Sequence, residues 1–236
     1  MAKSTLRTSS SMAILVTKSL NSIASHYKKN FPMSTFCKLI DEVRSVYKDY
    51  LKSGSLDDLR FLLALCIRAH HGHRMPWNTT RLAVDKLIRI DIINRLSTFA
   101  TFEDLHTEIK NVFAGIRFAQ GPLTVYDTAV LLGQLVCPTL EPTDLIYLNA
   151  GAYKGAEILL GKGNVNSIMS TSVFADLFPS LTSVGIEDIL CIYKGLFLKI
   201  KGGKSVTNQD LDDIKLCRKY LPHSKEDYLR KMAYPV

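Results

Sequence analysis

The residues able to do chemistry gather at three places. Between Ile116 and Ala129 the chain reads Ile-Arg-Phe-Ala-Gln-Gly-Pro-Leu-Thr-Val-Tyr-Asp-Thr-Ala. Pro122 stands where the first residue of a helix tolerates a missing N–H. Gly121, just before it, is the residue best suited to a positive φ and to a close backbone approach. A helix starting there presents unpaired N–H groups and a partial positive charge, so it favours an anion, a phosphate above all. Two carboxylates stand near in sequence, Asp127 one turn into the new helix and Asp144 beyond it. The second place is Arg68-Ala-His70-His71-Gly72-His73-Arg74-Met75-Pro76-Trp77. Its histidines suggest a metal, but such close neighbours rarely converge on one ion, and no carboxylate is near in sequence. The same loop could meet a nucleic-acid backbone and stack on a base. The preferred reading packs Trp77 into the core beside a helix terminus whose carbonyls favour the positive charges. The third place, Lys201-Gly-Gly-Lys-Ser205, has the look of a phosphate loop, but that loop needs a glycine where Leu198 stands, which excludes it.

Helices must position these residues. An apolar helix from Leu105 to Arg117 leads into the Gly121 turn, and Val125, Ala129, Leu132 and Val136 recur on one face of the next, which stops at Cys137-Pro138. A connection of about two to four residues is expected between them. Upstream, Met12 to Ile23 and Phe36 to Tyr47 have helical periods, the second ending at Gly54. Ser55 is an N-cap for a helix through Ile67 that is apolar over most of its circumference and is expected to be central. Thr79 or Thr80 starts another helix, running to Leu96 with Arg81, Lys86, Arg89 and Arg95 outward, and Thr101 caps the helix entering the turn. Downstream, Tyr147 to Leu160 is predicted helical and carries Ala150, Gly151, Ala152, Gly155 and Ala156, small enough to admit another backbone. Short and long helices follow at Phe174 to Leu177 and Ile186 to Leu198, then a helix capped at Thr207 and running to Tyr220. Strand-like alternation is nowhere sustained, so the fold class is all-α: a basic, loose N-terminus over 1–10 and one helical domain over 11–236, with a hairpin at 105–137.

A hydrophobic fraction of 47% with 22% charged residues is that of an ordinary globular chain. No apolar run approaches the ~18 residues of a membrane span. The five cysteines are widely spaced among apolar residues and form no CxxC, which points to reduced core thiols in an intracellular protein and against a zinc or iron–sulfur site. No cofactor or metal is called for. The net charge of +8 is an N-terminal property, because Lys3, Arg7, Lys18, Lys28, Lys29 and Lys38 all precede the first acid, Asp41. A basic arm or helix meeting phosphates, or a plain solvated helix, is preferred to an organellar targeting sequence, since the chain runs on without an evident cleavage site.

The stretch Phe118-Ala119-Gln120-Gly121-Pro122-Leu123-Thr124 resembles the helix-hairpin-helix of the DNA glycosylase superfamily, whose pattern is hydrophobic, x, Gly, hydrophobic, Gly, x, x, Thr or Ala. The resemblance implies a helical fold, of one lobe or two, in which hairpin amides at Ala119, Gln120, Gly121, Leu123 and Thr124 hold one backbone phosphate of duplex DNA. Three departures stand out: Ala119 replaces the first glycine, Gln120 replaces an apolar residue, and Leu123 occupies the place of the lysine of bifunctional members. The run that normally carries the family's aspartate falls on Leu145 to Gly151 and contains no acid, leaving Asp127 and Asp144 as the candidate catalytic carboxylates. The blocks Gly121 to Ala129 and Tyr147 to Gly151 also resemble a narrower glycosylase-like group, which implies a fold and no activity. Within the resemblance the small residues after Tyr147 would face the hairpin helix or DNA, and Lys154 would be a charged contact near the hairpin.

The function expected is therefore duplex DNA binding through the hairpin, without standard base-excision chemistry. The alternatives are an active glycosylase using Asp127 or Asp144, and a non-catalytic module that binds RNA or a protein. A hydrolase built on His70, His71 or His73 has no partner residues in sequence to support it.

Overall fold

Local capping sets most helix starts. Ser55 accepts a hydrogen bond from the N–H of Asp57, and Thr101 and Asp104 exchange the reciprocal pair of a capping box, as do Thr207 and Asp210. Thr101→Ala is expected to cost about 1 kcal/mol, read as a lower denaturant midpoint with an unchanged slope; an unchanged midpoint would mean that the cap contributes nothing.

The computed structural model describes residues 10–31, 37–69, 75–136, 138–214 and 224–234. In chain order the helices are α1 (Ser10–Asn30), α2 (Cys37–Ser53), α3 (Leu56–Ile67), α4 (Trp77–Arg89), α5 (Ile92–Arg95), α6 (Phe102–Phe113) and α7 (Pro122–Gly133). They are followed by β1 (Leu145–Tyr147), α8 (Ala150–Leu160), β2 (Ile168–Ser170), α9 (Ser183–Ile192), α10 (Lys194–Lys201), α11 (Asn208–Asp212) and α12 (Lys225–Lys231). The all-α expectation holds, with one small addition. Leu145 to Tyr147 pair antiparallel with Ile168 to Ser170 in a two-stranded ribbon, so α8 starts at Ala150 rather than Tyr147.

The described residues pack into two compact units, the first holding α1 and the elements from β1 to α11, the second holding α2 to α7 and α12. In the second, α3 is central as expected: Phe61 through Ile67 are all buried, and the helix packs on α2, α4, α7 and α12. In the first, α8 lies between α9 and α10, and α1 lies against both of those helices. Its core gathers Leu20, Ile23 and Tyr27 of α1 with Ala152, Ile189, Tyr193 and Phe197.

Several boundaries differ from those expected, each for a physical reason. The single helix from Thr79 to Leu96 is two, because Asp91 takes a left-handed conformation with φ 53° between α4 and α5. The long helix from Ile186 to Leu198 breaks at Tyr193, where ψ is 8°. Phe174 to Leu177 are turns rather than a helix, and α11 ends at Asp212. The expected extension of α11 through Leu216 to Tyr220 lies outside the described residues, as do the N-terminal arm, the His70 to Arg74 loop segment, Cys137 and Cys217.

The small residues of α8 have a partner other than the one implied by the resemblance. A Cβ at Gly155 would stand 2.0 Å from the carbonyl oxygen of Leu190, and one at Gly151 would stand 2.6 Å from the sulfur of Cys191. The backbone that approaches is α9, not the hairpin helix or a nucleic acid.

Candidate nucleic-acid interface

The turn between α6 and α7 spans residues 114–121, longer than the connection expected, because α6 ends at Phe113 and not at Arg117. Two residues supply the reversal. Gly115 has φ 77° and Phe118 has φ 70°, whereas Gly121 has φ −66° and ψ 140° and is extended. The expectation of a positive φ at Gly121 is thus corrected: the left-handed residue is Phe118, a bulky side chain for which that conformation is strained by on the order of 1 kcal/mol. Internal hydrogen bonds hold it there. Gln120 N–H donates to the Ile116 carbonyl at 3.0 Å, Gly115 N–H donates to Gln120 Oε1 at 3.0 Å, and the Thr124 hydroxyl donates to the Phe118 carbonyl at 3.4 Å.

Both helices are anchored behind the turn. Lys86 Nζ donates to the carbonyls of Val112 and Ala114 at 3.1 and 3.2 Å, satisfying the C-terminus of α6. At the far end of α7, Arg44 Nη2 donates to Gln134 Oε1 at 2.8 Å, and Gln134 Nε2 donates to Glu141 at 2.7 Å. Between these ends α7 is buried from Thr124 through Gly133 and packs on α3 and α6.

The residues expected at the site separate into distinct environments. Ala119 is fully buried at 0% and Thr124 at 3%, so neither presents its side chain to a ligand. Gln120 is exposed but its oxygen is taken by Gly115, while Gly121 and Leu123 are half-buried. Gly121 is the N-cap residue of α7, with no side-chain hydrogen bond closing that terminus, and Pro122 is the first helical residue as expected. Asp127 shares the second unit with the turn but is 1% exposed, within the buried length of α7. Asp144 and Lys154 belong to the first unit and are both exposed.

Two residues not singled out from sequence complete the turn. Phe118 is 44% exposed, and the Arg117 guanidinium, also exposed, lies 5.0 Å from the centre of its ring. The signal was present, an Arg-Phe pair directly before the motif, but an aromatic at that position reads as core until its backbone is known to be left-handed.

His106 on α6 stacks on Phe102 with ring centroids 6.0 Å apart, and burial followed by the Lys110 charge pushes it down to about 4. It therefore adds no charge near neutrality. Because its folded value lies below the unfolded one, its contribution to stability is present above about pH 6.5 and fades as the pH falls toward 4. NMR titration of His106 is expected to show an ordinary imidazole shift only below pH 5; a midpoint near 6.5 would mean that the ring is not buried.

Trp77 is half-buried rather than set into the core, so the packing expected for it holds only in part. Trp77 opens α4 with the Arg68 guanidinium 3.8 Å from its ring centre, Lys231 Nζ at 5.3 Å, and Tyr228 edge-on at 5.1 Å. Arg68 Nη1 also donates to the Met75 carbonyl and to Thr80 Oγ1, each at 2.8 Å. Among the described residues no group of histidine, cysteine or carboxylate side chains could hold a metal ion, and no helix is long and apolar enough to cross a membrane. Comparison with known proteins adds no constraint, since no family model, no curated protein and no solved structure matches the chain.

Proposed function

We propose that the α6–α7 turn binds the backbone of duplex DNA, taking one phosphate at the N-terminus of α7 in the manner of a helix-hairpin-helix, and that it does so without base-excision chemistry. What carries the reading is the pairing of an α7 N-terminus that has no side-chain cap with the exposed stack of Arg117 on Phe118. An uncapped terminus offers oriented N–H groups and a partial positive charge. Arg117 adds a full charge beside it, and an exposed ring can lie against sugar or base. A binding role without catalysis is favoured because Asp127, the candidate carboxylate in the same unit as the turn, is 1% exposed. A general acid or base must reach the atom it serves.

Gly121→Asp tests this reading cleanly. The extended backbone at 121 accepts any residue, and a Cβ there would meet only the Phe118 carbonyl oxygen at 3.4 Å. Aspartate is a good N-cap, so the variant should be as stable as the natural protein or more so by a few tenths of a kcal/mol, while its carboxylate occupies the phosphate position. In fluorescence anisotropy with a labelled duplex, affinity is expected to fall at least tenfold, with a shallower dependence on salt. Duplex binding indifferent to this substitution would sink the clamp, and the turn would then be architecture alone.

A further inference from the structure

The two-stranded ribbon of the first unit leaves one edge open. Its register pairs Ile146 with Met169, while Leu148 N–H donates to the Ser167 carbonyl at 2.8 Å and Thr171 N–H donates to the Asp144 carbonyl at 2.9 Å. In an antiparallel ladder such bonded pairs recur at every second residue, so Ser167, Met169 and Thr171 direct their backbone toward β1, and Asn166, Ile168 and Ser170 direct theirs away from it. No third strand follows among the described residues. The Ser170 carbonyl opens the short 3-10 helix Thr171–Val173. The N–H and C=O of Ile168 and the N–H of Ser170, in contrast, have no hydrogen-bond partner among the described residues.

This edge is held rigidly from its inner side. Thr171 Oγ1 donates to the Thr143 carbonyl at 3.3 Å, the Ser183 hydroxyl of α9 donates to the same carbonyl at 2.8 Å, and Ser172 N–H donates to Ser170 Oγ at 3.3 Å. Ile146 is 1% exposed, and Met169 packs against the core of the unit. A template fixed in this way loses little conformational freedom when a further strand is added. Shortness apart, the usual devices that blunt an edge are missing: from Gly163 to Ala175 there is no charged residue and no proline, and no bulge interrupts the register. Ile168 and Val173, 46% and 42% exposed, add apolar surface beside the open backbone groups.

We infer that β2 pairs with β2 of a second copy of this chain, antiparallel about a two-fold axis at Ile168, to form a continuous sheet across a weak homodimer. An edge of unpaired N–H and C=O groups is covered by another strand, and a copy of the chain supplies one whose register is complementary to itself. With the axis at Ile168, the two isoleucines exchange both backbone bonds and lie directly opposite, each covering the other's exposed side chain. Ser170 N–H of each copy then meets the Asn166 carbonyl of the other. Every opposed pair is uncharged, so no like charges meet at the contact of two chains that each carry +8. Pairing stops at two, because β1 has α9 packed against it, with Ile146 and Tyr147 buried. So few outward residues make a small interface, and the dimer is expected to form on the order of 100 µM, in the weak class. The edge lies in the unit that does not hold the duplex-binding turn, and the inference does not depend on that reading.

Sedimentation velocity of the full chain from about 10 µM to about 1 mM, a range that brackets this affinity, is expected to show monomer giving way to dimer and no larger species. Ser170→Pro is the most specific variant. Ser170 has φ −70°, which proline adopts, and its N–H takes no part in the ladder with β1, so the fold loses only the bonds of the Ser170 hydroxyl. Ser170→Ala removes the same hydroxyl and keeps the N–H. Dimerisation should weaken at least tenfold in Ser170→Pro and in Ile168→Lys, and should be unchanged in Ser170→Ala. Residue-resolved amide exchange locates the contact: the amides of Ile168 and Ser170 should gain protection as concentration rises, while that of Met169, paired with Ile146, should be protected throughout. A chain that stays monomeric at the highest concentration would overturn the dimer and leave the edge to a strand from a different protein. Self-association that leaves the Ile168 and Ser170 amides open, or that persists undiminished in a folded Ser170→Pro variant, would overturn it equally.

Discussion

Gly155→Ala is expected to lower the thermal midpoint by about 6–12 °C, from a loss of about 3 kcal/mol. Gly155 lies in α8 where a Cβ would stand 2.0 Å from the Leu190 carbonyl oxygen, 2.8 Å from its carbon and 3.1 Å from its Cα. All three are backbone atoms of α9, so no side-chain rotation relieves the clash. The helices must separate, and with them Ala152 and Ala156, both 0% exposed, lose their contacts. Intrinsic helix propensity works the other way, since alanine is the better helix former by about 1 kcal/mol, so a net loss can only come from the crossing. Gly195→Ala supplies the control: it lies in α10, its Cβ would meet nothing within 4 Å, and it should be neutral or slightly stabilising. Equal melting of the two variants would show that α8 and α9 do not cross at Gly155.

The second large effect is expected at Arg68. Truncation to alanine removes two hydrogen bonds from a charged donor, to Met75 and Thr80, and the 3.8 Å stack on Trp77. Thr80 is fully buried and Met75 is 2% exposed, so water is poorly placed to replace the lost donor. The combined cost is about 2–4 kcal/mol, read by urea denaturation, with quenching of the Trp77 fluorescence changed in the folded state. Arg68→Lys should recover only part of this, because an ammonium lacks the planar face that lies on the indole. Duplex affinity of the folded variant is expected to be unchanged; a loss of affinity without a loss of stability would return Arg68 to the nucleic-acid reading.

The existence of nearly every helix was legible in the sequence, and the reason is physical: apolar periodicity and side-chain caps act over one turn. Ser55, Thr101 and Thr207 all cap where their spacing from the following acid says they should. What was illegible depends on tertiary packing. Nothing local marks Asp91 as a break, since it interrupts an apolar stripe without a proline or glycine, and at Tyr193 the one local hint is Gly195 two residues on. Leu145-Ile-Tyr147 became a strand because a partner twenty-odd residues later supplies its hydrogen bonds. At the candidate site, the helix start at Pro122 was readable from proline chemistry, but a left-handed Phe118 beside an extended Gly121 inverts the usual allocation and could be found only from the backbone. The 2.7 Å contact of His26 with the Tyr193 hydroxyl was not legible either, since it joins residues 167 apart in sequence.

That separation bears on how the chain is made. The apolar face of α1, with Leu20, Ile23 and Tyr27, and Phe31 just after it belong to a core whose other members begin at Ile146 and end at Leu211. At a synthesis rate of about 5–20 residues per second, α1 leaves the ribosome on the order of ten seconds before the helices that cover it. During that interval its stripe is a hydrophobic surface of the kind that nascent-chain chaperones shelter. Circular permutation that moves α1 to follow α11 would put the whole first core into one continuous run of chain, and should shorten the time for which this surface stands uncovered.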